Sequence, residues 1–206
     1  MTKIEMLARA RTLLDESSAS FWTDVEIYAA LTDGQQEVTN YFLNLFIRMR
    51  ERNKIVDLPL SLRPLLVSAD DSILTGDTDS LPATFMFDVD VSYGVTAITK
   101  KPAFKREYSV SSHLKANTYT SATDYYYSID STNIVFEYLP NGDHYYTLVY
   151  LRTPTAISAA VEPILPVQTH SAIVHWAVSQ MLLKDQRAQE SQLYTQNFLN
   201  ELKMIG

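Results

Sequence analysis

Apolar residues recur every three or four positions at both ends of the chain, whereas the middle alternates with a period of two. Ile4 to Glu16 has helical spacing and predicts a first helix. Thr23 followed by Glu26 is a capping-box signature, so a second helix is expected to begin there and to continue to Met49. Its apolar face is interrupted by one polar residue, Gln35.

The stretch from Pro166 to Met204 contains no internal proline or glycine and is expected to be helical. Its first part, to Leu183, is apolar around most of its circumference, which predicts burial. From Asp185 onward one side is polar, and the apolar positions are Leu193, Tyr194, Phe198, Leu202 and Ile205. Two interpretations stay open for this stripe: packing on the chain's own helices, or docking of a loosely held arm on a partner.

The middle of the chain predicts strands. Phe85 to Ser92 alternates strictly, which places Asp88 and Asp90 on a wet face. A second short strand is expected at Val95–Thr99, followed by a loop that carries Lys100, Lys101, Lys105 and Arg106 and contains Pro102. Segment 106–119 predicts at most one short helix.

Three further runs predict an antiparallel meander: Tyr125–Ile129, Ile134–Tyr138 and His144–Leu151, with a tight turn at Pro140–Asp143 between the last two. Tyrosine is abundant here because its ring suits a half-buried pleated surface while its hydroxyl stays wet. A sheet that exposes such rings is a candidate interface. The rings proposed for it are Tyr125, Tyr127, Tyr145 and Tyr146.

The order of elements predicts an α+β protein, mainly an α-helical bundle with an inserted antiparallel β-rich subdomain. Residues 1–66 and 160–206 form the expected helical body, because neither part alone has enough apolar surface for a core. Residues 81–154 form the insertion. Residues 67–80, rich in Asp, Ser and Thr, are expected to be a linker loop.

Composition narrows the possible functions. The 206 residues carry a formal charge of −7, which argues against binding to nucleic acid by charge. No apolar run approaches a membrane span and the N-terminus lacks a signal-peptide pattern, so no membrane partner is expected. There is no cysteine, hence no thiolate chemistry or disulfide.

Motifs for catalysis are missing from the sequence. His170 and His175 are five residues apart, which places them on different helix faces and prevents chelation of one metal ion. No phosphate loop, nucleophile elbow or dinucleotide fingerprint occurs. We therefore expect no enzyme, no cofactor and no metal site.

Seven stretches, in their order and spacing, resemble one protein family. They are Leu7–Glu16, Trp22–Tyr28, Gln35–Val38, Leu81–Ala83, Tyr138–Pro140, Tyr150–Pro154 and Leu165–Arg187. Together they are similar to the head-to-tail adaptor, or connector, proteins of tailed bacteriophages. The similarity spans nearly the whole chain, and the ordering of the stretches, each weakly specific, carries it.

The resemblance implies a structural virion protein of the neck, made in the host cytoplasm. It implies a ring of about twelve copies below the portal, tail or nozzle proteins as further partners, and DNA only as transiting cargo. It also implies portal docking through the C-terminal arm, for which the candidate residues are Arg187, Leu193, Tyr194, Phe198, Leu202 and Ile205. Alternatives are another tail or tail-completion subunit, or a cytoplasmic peptide-binding module.

Overall fold

The computed structural model describes residues 1–16, 21–51, 57–73, 78–94, 98–105, 125–136 and 144–205. These residues form four helices: α1 (Lys3–Leu13), α2 (Asp24–Glu51), α3 (His170–Lys184) and α4 (Ala188–Ile205). They also form seven strands: β1 (Leu66–Ile73), β2 (Thr78–Ser80), β3 (Phe85–Gly94), β4 (Lys101–Lys105), β5 (Tyr125–Asp130), β6 (Asn133–Phe136) and β7 (His144–Arg152). The chain divides into a helical unit, Met1–Leu65 with Thr153–Gly206, and a sheet unit, Leu66–Arg152.

Local side-chain bonds explain where the first two helices begin. Thr2 and Glu5 form a complete capping box at α1. At α2 the amide of Glu26 donates to Thr23 Oγ1 at 3.3 Å, and the amide of Thr23 donates to Glu26 Oε2 at 2.9 Å. The capping box expected from the sequence is thus confirmed.

A left-handed residue ends α3 and reverses the chain. Gln186 has φ of 60°, and the amide of Arg187 donates to the carbonyl of Leu182 at 2.9 Å, the Schellman arrangement of a helix end. Asp15 ends α1 in the same way, also with φ of 60°. The prediction of an uninterrupted helix over 166–204 is therefore wrong. Gln186 adopts the left-handed conformation that usually requires glycine, so the sequence contains no glycine to mark the helix end.

Helix α4 consequently folds back along α3. The rings of Trp176 and Phe198 lie 5.0 Å apart between centroids, and Ser171 donates a hydrogen bond of 2.7 Å to Glu201. These contacts pair the start of α3 with the end of α4. As expected, α3 is buried on most of its circumference.

Helix α2 holds the segment that returns to α3. Gln35 is completely buried: its Nε2 donates to the carbonyl of Thr155 at 2.8 Å, and its Oε1 accepts from the amide of Ile164 at 2.9 Å. Thr32 Oγ1 likewise accepts from the amide of Ile157 at 2.9 Å. The polar break in the apolar face therefore satisfies backbone groups that have no helix or strand partner.

The seven strands form one sheet in the order β1-β7-β3-β4-β5-β6-β2. Strands β5 and β6 pair as the expected hairpin. A meander into β7 is wrong, because β1 and β3 occupy both edges of β7, while β2 takes the second edge of β6. The sheet is also not wholly antiparallel, since β4 and β5 run parallel.

This sheet is strongly curled. Strands β6 and β7 are four places apart in the order, which in a flat sheet would separate them by roughly 19 Å. Yet the ring centroids of Phe136 on β6 and Tyr146 on β7 lie 5.3 Å apart. The curl encloses an aromatic core in which Tyr93 stacks on Phe136 at 4.7 Å.

Two segments expected to be loops are strands. The interval 67–80 contains β2 and all but the first residue of β1, a strand that pairs with β7 over eight residues. The lysine-bearing loop contains β4, in which Pro102 has a strand partner on one side only, because the pairing with β5 begins at Ala103. The strand expected at Val95–Thr99 is not found at 98–99, and 95–97 lies outside the described residues, as do the turn at 140–143 and segment 106–119.

The α+β class is confirmed. Among the described residues the structure contains four α-helices and, in place of the predicted meander, a curled sheet of seven strands.

Gly34 sets the approach of α2 to α3. A Cβ at this position would lie 2.7 Å from the carbonyl oxygen of Ile173. We therefore expect Gly34→Ala to destabilise the protein, although alanine gains about 1 kcal/mol of helix propensity, because overpacking costs about 1–3 kcal/mol. Urea unfolding checks this. Exposed Asp33→Ala is the matched control, and equal stability of the two variants would contradict the close packing.

Candidate interfaces

The four tyrosines proposed as an interface occupy different environments. Tyr127 and Tyr146 are each 4 % exposed and belong to the aromatic core. Tyr125 and Tyr145 are half-buried, and Tyr125 packs edge-on against Tyr93 at 5.0 Å. The prediction that the rings of Tyr127 and Tyr146 are exposed is therefore wrong, because the curl of the sheet turns both rings into the core.

The hydroxyls of the two buried tyrosines reach carboxylates. Tyr127 donates to Asp88 at 2.7 Å and Tyr146 donates to Asp79 at 2.6 Å. Asp88 also pairs with Lys105. Asp88 is buried rather than exposed to solvent as predicted. The register between β3 and β7 shifts at this point, which interrupts the alternation of inward and outward residues.

Helix α4 has two distinct faces. Tyr194, Phe198 and Leu202 point into the helical unit, and Phe198 is 4 % exposed. Leu193 is 60 % exposed, since five residues of helix turn it about 140° from Phe198. Met204, roughly 20° from Leu193 on the same wheel, is also exposed. The sequence left two interpretations open for the apolar positions of this helix. For Tyr194, Phe198 and Leu202, the structure shows packing on the chain's own helices.

The remaining residues proposed for docking lie at the two ends of α4. Arg187 bonds to Glu190 through Nε at 2.9 Å, and this hydrogen bond raises the pKa of Arg187. Ile205 is half-buried at the other end. Whether any of the six contacts a portal subunit stays a prediction.

A titratable pair lies between α3 and α4. His175 Nδ1 is 3.3 Å from Glu201 Oε1, and the ring of His175 faces Tyr194 at 5.9 Å. Burial lowers the pKa of His175, while the charge of Glu201 raises it and that of Arg9 lowers it. The net direction is downward, so the ring favours its neutral form.

A groove of about 690 Å³ opens on the helical unit. Its walls come from the last turns of α2, the connector 57–61, the end of α4, and Pro166 with the 3₁₀ turn Val167–Thr169 that precedes α3. The apolar wall residues include Phe42, Leu45, Met49, Leu60 and Ile205. Sequence reasoning missed this groove. The one signal for it was Leu60, an apolar residue in a proline-bounded connector, which is 70 % exposed.

The described residues contain no group of three or more His, Asp or Glu side chains placed to hold a metal ion. Among the helices described, none has the length and hydropathy needed to span a bilayer. Two apolar surfaces of the helical unit are accessible to solvent: the outer face of α4 and the groove.

A family model described as SU10 adaptor protein matches residues 1–205. The chain belongs to the SU10 adaptor protein family. This is a family of phage head-to-tail adaptors, so the adaptor is a structural phage protein, in agreement with the resemblance seen in the sequence. A search of curated proteins gives no significant match.

The downward shift of the His175 pKa predicts how adaptor stability depends on pH. The unfolded chain takes up a proton near the ordinary histidine pKa of about 6.5, before the folded chain does. Stability should therefore fall as the pH falls from about 7 to 5. Thermal unfolding of wild type and His175→Asn across this window measures the effect, and the variant should lose less stability. Identical slopes would contradict it.

Proposed function

We propose that this adaptor is one subunit of a ring of about twelve copies in the virion neck, below the portal. The ring would join the head to tail or nozzle proteins and surround a channel through which DNA passes. The observation that carries the proposal is the family match over residues 1–205. The match covers both the helical unit and the sheet unit.

The charge of the chain supports DNA as transiting cargo. With 24 acidic and 17 basic residues, the formal charge is −7. Affinity for DNA grows with the number of phosphates that lysine and arginine neutralise. An acidic ring would bind the passing duplex weakly, which is what a conduit requires.

The outer face of α4 is the portal-docking surface in this proposal. Leu193 and Met204 lie on this side, away from the residues that α3 buries. Both are large exposed apolar residues, and Arg187 directly precedes the same helix. Docking through this face leaves the contact between α3 and α4 intact, so the arm need not detach.

The two faces of α4 can be tested separately. We expect Leu193→Glu to change stability by no more than about 0.5 kcal/mol while abolishing attachment to portal-bearing heads. Phe198→Ala, the inner-face control, should lower stability by about 3–5 kcal/mol. Thermal unfolding and sedimentation with heads lacking adaptor give both readouts. Normal attachment of Leu193→Glu would show that the outer face is not the docking surface.

Electron microscopy of virions tests the ring itself. The protein should form a symmetric ring between portal and tail. Density for this chain outside such a ring would instead favour a tail or tail-completion subunit.

A further inference from the structure

The residues that lead into β4 present one isolated apolar side chain. Ile98 is 94 % exposed. Two positions later, Lys100 Nζ bonds to Asp70 at 2.6 Å, Thr147 at 2.7 Å and the carbonyl of Tyr146 at 3.2 Å. These bonds tie the chain beside Ile98 to β1 and β7. We call residues 98–101 the knob.

Close backbone packing also holds the knob. A Cβ on Gly94 would lie 2.5 Å from the carbonyl oxygen of Thr99, so the end of β3 and the start of the knob are in direct contact. A segment whose backbone is already held in place loses less conformational freedom when it docks than a flexible loop does. Ile98 is therefore suited to act as an anchor in an apolar site.

The groove on the helical unit is an apolar site of matching character. Leu45 and Ile205 are half-buried in its walls, and Leu60 and Met49 are exposed at its edge. Asp57 is the one charged residue among the described lining residues. The knob carries the opposite charge, because Lys101 follows Ile98 by three residues and is exposed.

We infer that the knob of one adaptor copy docks in the groove of the next, with Ile98 against the apolar walls and Lys101 beside Asp57. The inference rests on the proposed ring. A second copy is the fitting occupant because both halves of the pair, with complementary charge, lie on this one chain. Contact between two different surfaces of identical subunits is also the kind that closes into rings.

Charge reversal tests the pairing. Asp57→Lys and Lys101→Glu should each reduce ring formation on portal-bearing heads about tenfold or more, because like charges then face each other. The double variant should restore it. Exposed Asp33→Lys is the matched control and should assemble as wild type does. Ring occupancy is counted by electron microscopy of the heads.

Cysteine trapping tests the contact directly, since the chain contains no cysteine of its own. A variant with Ile98→Cys and Leu60→Cys should form covalent multimers when assembled rings are oxidised. Val25→Cys paired with Ile98→Cys is the control, since Val25 is exposed on α2 outside the groove, and it should stay monomeric on a denaturing gel.

The outcomes separate the inference from the proposed function. If wild type forms rings but the single reversals assemble equally well, or the Ile98–Leu60 pair gives no multimers, the knob-in-groove contact is wrong and the ring stands. A crosslink from Leu60→Cys to the portal would assign the groove to that partner and also overturn the inference. If wild type forms no ring on portal-bearing heads, both fail.

Discussion

The buried amide of Gln35 is the interaction on which the helical unit most depends. It bonds to Thr155 and Ile164, at two points of the irregular segment that brings the chain back to α3. Each of those backbone groups would cost about 1–3 kcal/mol if buried without a partner. The adjacent Gly34 lets α3 approach α2 closely. Two neighbouring residues thus fix both the return of the chain and the seating of its most buried helix.

Each unit of the adaptor has a core that is separate from the surfaces proposed for assembly. In the sheet unit Tyr127 and Tyr146, two of the four tyrosines predicted to form an interface, belong to the core, and their hydroxyls bond to Asp88 and Asp79. In the helical unit the inner residues of α4 do the same against α3. Leu193 and Ile98, the exposed side chains of the proposed contacts, lie outside these cores. Assembly can therefore proceed without unfolding either unit.

The sequence predicted the helices and several strands because their signals are local. The capping box of Thr23 and Glu26 and the β5–β6 hairpin depend on residues only a few positions apart. Strand order did not follow from the sequence, because β7 pairs with β1 and β3 through backbone groups that carry no side-chain signature. The reversal between α3 and α4 was not predicted, because the residue with positive φ at the turn is Gln186 rather than glycine. Leu193 does not share a face with Leu202, because nine residues at 100° each place the two on opposite sides of α4.

The curl of the sheet has a consequence for how the protein behaves before assembly. Its edges are formed by β2, which has three residues, and by β1, whose outward residues include Asp70. Short or acidic edges are poor templates for adding a strand from another molecule. Subunits with such edges are therefore less prone to add strands from other molecules than subunits with long, flat, apolar edges would be.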